Sequence, residues 1–389
     1  GIFNFGQDSS FAGNKTSGSA GASDANGNGD FYYSPPSGYL ACCTANLPDP
    51  AIDPAQGEEP ADYFNTKLFN GNAGTQSITG VGFQPQWLWI KRRDSSPTEH
   101  GLFDIVRGAG KSLKSNSNVA EQTQSDSVTS FDSDGFSLGD NTEAGPDVNY
   151  TSGASYVSWN WLAGGSASSN DQGDLTSSVS VNTKAGFSIV TWTTGTGTVG
   201  HGLDKAPEII FEKKRGASGD WIVQTTVIDG SNDYLRLNTN AAKANGSGAS
   251  PTTTVFTPNT GASTAVAYCF HSVDGYSKVG IYTSNNNADG PFVYTGFRPA
   301  WVVVKAASTG GSNYDWTIYD NQRSPINPVS LQLEANQTND DESTRGVPID
   351  FLSNGFKPRN SYSEANGGSS VTYIYLAFAE QPFKYANAR

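Results

Sequence analysis

The residues whose types and spacing could do chemistry are few, and each fails a structural requirement of the chemistry it suggests. GTGTVG, from Gly195, has dinucleotide-fingerprint spacing, in which glycines let the backbone approach a pyrophosphate at a helix N-terminus. The next regular element, EIIF, reads as a strand, so the helix that would hold the anion is missing. RGAGKS, ending at Lys111 and Ser112, has the tail of a phosphate loop, but Ile105 stands where the first glycine is required, and a turn is the simpler reading. FDSDGFSLGD, from Phe131, lacks the spaced oxygen ligands and final Glu of a calcium loop, and an Asp-Gly hairpin explains it better. His100, His201 and His271 lie far apart, without zinc-site spacing. Asp340, Asp341 and Glu342 are the type of carboxylates that hydrolyse glycosides, but a solvated acidic loop accounts for them without a cleft. These residues therefore predict no catalytic residue, no cofactor and no metal site.

The stretch GVGFQPQWLWIKRR, residues 80–93, puts aromatics beside cations and admits three readings: a nucleic-acid patch, a sugar platform or a buried strand leaving the core. Lys and Arg total 24 against 37 Asp and Glu, and a net charge of −13 repels nucleic acid and anionic membrane alike. No apolar run approaches the roughly 18 residues that would cross a bilayer as a helix, so neither nucleic-acid binding nor membrane insertion is expected.

The elements that must position any site read as strands. Apolar residues make up 35% of the chain, with 44 glycines and abundant Ser, Thr and Asn, a balance suited to short strands and polar turns. Cys42, Cys43 and Cys269 are too few and too unevenly spaced for a disulfide framework, and are expected as buried free thiols. No methionine occurs, which suggests a segment of a longer polypeptide.

An internal similarity organises these strands. QPQWLWIK, APEIIFEK and RPAWVVVK align on Pro85, Pro207 and Pro299, with Lys91, Lys213 and Lys305 each six positions on. Leu113/Asn116, Leu235/Asn238 and Leu333/Asn336 follow, and each stretch closes on a strand containing Trp161, Phe270 or Phe378. Trp87 and Trp89 against Leu88 and Ile90, like Trp301 and Val303 against Val302 and Val304, are apolar on both faces and predict a central strand begun at the proline. The repeated lysine is expected to carry its charge into water as the strand emerges. The fold class is all-β: three tandem sandwich-like modules over 60–165, 183–276 and 278–385, each with its own core. A Gly/Ser-rich linker would span 166–182, after an extended N-terminal arm over 1–59. Phe3, Phe5, Phe31, Tyr32 and Tyr39 would anchor that arm to a neighbouring module or subunit.

GFQPQWLWIKRRD, LFDIVRGAGKSLKSNS, TSFDSDGFSLG, YVSWNWLAGG, GHGLDKAPEIIFEKK and WTIYDNQRSP occur in the order seen in a module of tailed-bacteriophage virion proteins, notably marine ones, which residues 60–385 resemble. IFNFGQDSSFAG and FYYSPPSGYLA are similar to the last strands of a SPRY-like sandwich, making the arm its remnant. The resemblance implies a structural, adhesive tail-fibre or tail-tip protein at the virion surface, acting in host attachment and carrying no catalytic residues. Its partners would be other virion proteins, copies of itself as a trimer, and a host-surface glycan or protein receptor. The alternatives are a capsid-decoration or head-fibre protein, and, from another class, a polysaccharide-depolymerising tailspike enzyme, for which a parallel β-helix of short repeats would be expected.

Overall fold

The apolar run after each anchoring proline becomes an inner strand of a sheet, because side chains that are apolar in both directions can be satisfied only with cover on both faces. A computed structural model describes residues 21–31, 33–95, 97–341 and 346–386. The fold is all-β and antiparallel, and the only helical elements among the described residues are 3₁₀ turns at Thr44–Asn46, Pro54–Gln56 and Pro60–Asp62.

Three sheets carry the chain. In the first, Trp87–Arg92 lies between Ser155–Trp161 and Gly101–Asp104, with Phe64–Asn70 outside Ser155–Trp161. In the second, Ile209–Lys214 lies between Ala265–Phe270 and Ile222–Thr225. In the third, Phe297–Ala306 lies between Ser369–Pro382 and Thr317–Asp320. The registers correspond: Trp87 faces Trp161, Ile209 faces Phe270 and Trp301 faces Phe378. Pro85 and Pro207 stand two residues before their strands, whereas Pro299 lies inside the third one, at a register shift where a missing N–H is tolerated.

Each sheet has two covered faces. Outward side chains such as Leu88, Ile210 and Val302 pack beneath small outer sheets, giving three peripheral clusters. The outer layer is three strands over the first and third sheets, but only Val199–Gly200 paired with Val255–Phe256 over the second. Inward side chains do not form three further cores, as the sequence suggested. Trp87, Trp89, Trp161, Phe211, Tyr268, Phe270, Trp301 and Phe378 belong to one continuous cluster. Trp87 stacks on Tyr268 at 4.3 Å, Trp161 meets Trp301 edge-on at 5.7 Å, and Phe270 meets Phe378 at 5.8 Å, so every pair of sheets is joined by aromatic contact. Indole and phenyl rings too large for one sheet to cover are covered by the other two.

Two boundaries shift. The expected linker 166–182 contains Ser168–Asn170 and Ser177–Asn182, paired strands at the edge of the second sheet. Its serines mask the alternation that buries Val179 and leaves Ser178 exposed. The arm docks within its own chain from residue 47 onward. Ile52 enters the central core, Glu59 Oε2 accepts from Gln381 Nε2 at 2.9 Å, Tyr385 donates to Asp53 Oδ1 at 2.7 Å and Lys384 pairs with Asp49. Tyr39 is exposed and Phe31 half-buried, while Phe3, Phe5 and Tyr32 lie outside the described residues.

Candidate functional site

The residues singled out from the sequence are largely placed as scaffold. Trp87, Trp89, Trp161, Phe270, Trp301 and Phe378 are all buried in the shared core. Lys91, Lys213 and Lys305 are buried too, which corrects the expectation that they reach water. Each ammonium folds back onto the end of its own strand or the following loop: Lys91 Nζ donates to Arg92 O and Thr98 Oγ1, Lys213 Nζ to Gly219 O, and Lys305 Nζ to Ala306 O. Burial lowers their pKa values, to about 8 for Lys91 and Lys213 and about 7 for Lys305, although neighbouring carboxylates oppose the shift.

The junctions between sheets are polar, and hydrogen bonding there follows one pattern. Strand pairing places His100, Trp221 and Trp316 at corresponding positions, just before the strands that pair with the three central ones. Trp221 Nε1 donates to Lys114 O at 2.8 Å, Trp316 Nε1 donates to Arg236 O at 2.8 Å, and His100 Nε2 lies 3.1 Å from Glu334 O. Each sheet thus reaches the carbonyl that follows Leu113, Leu235 or Leu333 in the next, and the contacts close a ring. The asparagines of the Leu-x-x-Asn step serve the same positions: Asn116, Asn238 and Asn336 accept from the backbone N–H of His100, Trp221 and Trp316.

Buried ion pairs reinforce two junctions. Arg107 pairs with Asp104, whose Oδ2 also accepts from Tyr268 Oη of the second sheet at 2.7 Å. Arg323 pairs with Asp320, whose Oδ2 accepts from Trp159 Nε1 of the first sheet at 3.0 Å. RGAGKS is thereby explained, because its arginine is the fully buried Arg107 and the following residues turn into a short strand. Asp341 is not in a solvated loop: it bridges Arg93 of the first sheet and Arg323 of the third. Glu342 lies outside the described residues.

The other chemical candidates are also engaged. GTGTVG runs into the strand Val199–Gly200, with no helix after it. FDSDGF is a hairpin, with Asp132 opposite Gly135, and Asp134 accepts from Gly80 N and Gly82 N at 3.0 and 2.7 Å. Burial holds the His100 imidazole well below its ordinary pKa, and its Nδ1 accepts from Trp89 Nε1. His201 and His271 hydrogen-bond to the backbone oxygens of Thr252 and Ser272. Among the described residues no three His, Cys, Asp or Glu side chains are grouped to hold a metal ion. Cys269 is buried and burial pushes its thiol up, whereas Cys42 is exposed and Cys43 half-buried, contrary to expectation.

Three features went unread in the sequence. DANGNGD, from Asp24, has the D-x-N-x-N-G spacing of a calcium loop. Its carboxylate is filled by hydrogen bonds: Oδ1 accepts from Asn26 N and Asn28 N, and Oδ2 from Ala41 N and Asn46 Nδ2. Desolvation acts against ionisation there, but these donors outweigh it and hold the group at about 2. The second feature is Glu212, which strand pairing places where the other sheets have Ile90 and Val304. It is fully buried under the thin two-stranded layer, and burial raises its pKa to about 8 against hydrogen bonds from Gln224 and Asn259 N.

The third is concave and faces solvent. Where the docked arm meets the third sheet, a cleft of about 150 Å³ is lined by Pro50, Gly275, Tyr294, Gly296, Pro382 and Lys384, among others. Tyr294 stands at its lip, 60% exposed, and the Asp274 carboxylate also approaches Gly296. Both glycines have left-handed φ, and a Cβ at Gly275 would lie 2.5 Å from Pro50 Cβ. No signal in the sequence could have assembled this cleft, because its walls come from residues 47–50, 274–275, 294–296 and 382–384.

No curated protein and no solved structure matches this chain. One family model does, over residues 59–382, and its match runs through all three sheets that share the core. The chain belongs to that family, described as a domain of unknown function, DUF7483.

Proposed function

We propose that this chain is a structural and adhesive component of a tailed-phage virion, a tail-fibre or tail-tip body that contributes to host-surface attachment. The sequence resemblance motivates the reading. The observation that carries it is the closed ring of three sheets around one aromatic core, with Asp104, Asp320 and Asp341 committed to ion pairs between or within sheets. A body built in this way supplies shape and rigidity, and its solvent-facing loops are left to make contacts. Other virion proteins, further copies of the chain and a host glycan or receptor are its partners in this reading. Labelling particles with an antibody to this chain and imaging them should place it on the tail, and purified chain should adsorb to host cells and compete with phage. Label confined to the capsid would favour a decoration role instead. Shortened glycans after incubation with host polysaccharide would favour the depolymerase.

A further inference from the structure

We infer that the cleft between the docked arm and the third sheet is a carbohydrate-binding subsite that takes a single neutral pyranose ring. The inference deepens the adhesive reading and rests on it for its biological use. Pyranosides present an apolar C–H face and a rim of hydroxyls, and proteins meet them with an aromatic ring or other apolar surface on one side and fixed polar groups at the edge. The cleft has both parts. Pro48, Pro50, Pro382 and Phe383 give it apolar walls, and the exposed Tyr294 offers a ring at the lip.

Polar groups converge on one edge. A Cβ placed on Gly296 would lie 3.6 Å from Tyr294 Oη and 3.9 Å from Asp274 Oδ1, so the two oxygens flank the same bare backbone position. Among the described residues, neither side-chain oxygen has a hydrogen-bond partner. Asp274 would accept from vicinal hydroxyls, and Tyr294 Oη would donate or accept. Lys384 is steered into the wall by Leu47 O and Asp49 and can donate once more. A pair consisting of a tyrosine and a carboxylate could also hold an organic cation. The Lys384 ammonium on the same wall disfavours that ligand, and a polyanionic one is repelled by the net charge of −13. At about 150 Å³ the space suits one sugar ring rather than an extended chain.

The test is saturation-transfer NMR on the full chain with three probes in turn: the methyl β-glycosides of glucose, galactose and N-acetylglucosamine. At least one should show transfer at millimolar concentration. Tyr294→Ala should abolish it, and Asp274→Asn should weaken affinity at least fivefold, with the thermal midpoint of both variants unchanged because neither side chain is in a core. Binding that survives Tyr294→Ala, no transfer from any probe, or transfer from tetramethylammonium in preference to all three would overturn the assignment. Cell adsorption measured in parallel separates the two claims. A chain that adsorbs to host cells but ignores all three glycosides retires the subsite and leaves adhesion standing, whereas glycoside binding without adsorption keeps the subsite and removes adhesion.

Discussion

Trp87 and Trp301 make the residue-scale case for a shared core. Each is buried to within 2% and touches aromatic rings from another sheet, Tyr268 for Trp87 and Trp161 for Trp301. Truncating either to alanine should cost about 3–5 kcal/mol, a range set by lost burial and the cavity left behind. Chemical denaturation of the whole chain would measure it, and a cost below 1 kcal/mol would show that the neighbouring sheet does not depend on the ring. Glu212 makes a different prediction. Its folded pKa, raised to about 8 from 4.5, means the folded state holds a proton that the unfolded chain releases. The stability it contributes is complete below pH 4.5 and is lost as pH rises through about 8. His100, with its lowered pKa, and the three lysines act in the opposite sense, gaining stability as pH rises, the lysines between about 7 and 10.5. The difference between wild type and Glu212→Gln isolates the carboxyl: the wild-type advantage should shrink by a few kcal/mol from pH 4.5 to 8. A difference that stays flat across that window would mean Glu212 is not buried as a neutral acid.

At the scale of elements, the two complete outer hairpins show what their glycines are for. Gly135 and Gly355 follow the turns at Ser133–Asp134 and Ser353–Asn354, and a third strand pairs alongside each, with Thr79 opposite Gly135 and Tyr294 opposite Gly355. A Cβ would lie 1.9 Å from Ile78 O at the first and 2.0 Å from Val293 O at the second. Gly135→Ala and Gly355→Ala should each destabilise by about 1–3 kcal/mol through overpacking, read as a lowered thermal midpoint. The sequence reveals these elements unevenly, for physical reasons. Anchor and closing strands are legible because both of their faces are apolar, and the Asp-Gly hairpin because its turn chemistry is local. Ser177–Asn182 is hidden because serines pair in a ladder as well as valines do but leave no hydrophobic signature. The lysines mislead because a flexible stem can return its ammonium to backbone carbonyls a few residues away, which spacing cannot show. The cleft is illegible in principle, since proximity between residues 50, 275, 294 and 384 exists only after the arm has docked.

The whole molecule should unfold as one unit. Its three sheets have no inner faces of their own to retreat to, and the ring through Trp221, Trp316 and His100 ties each sheet to the next. Residues 168–276 expressed alone would expose Ile209, Phe211, Tyr268 and Phe270, and should bind hydrophobic dyes and melt without a cooperative transition, whereas the full chain should melt in one. Self-association then needs a different driving force from core burial, which the chain already completes internally. The arm supplies one. From residue 47 onward it is docked, and ahead of that point Tyr39 and Leu40 are 69% and 48% exposed. An exposed tyrosine and leucine on a segment held at its base by Ile52 are suited to pack on another copy, and a trimer joined in this way would buttress three bodies whose cores are already closed. Light scattering at micromolar concentration should give a trimer mass for the full chain and a monomer mass for a chain starting at residue 47, both with the same thermal midpoint. A full chain that scatters as a monomer would remove the intersubunit role of the arm. A trimer that survives loss of residues 1–46 would move the interface onto the sheets.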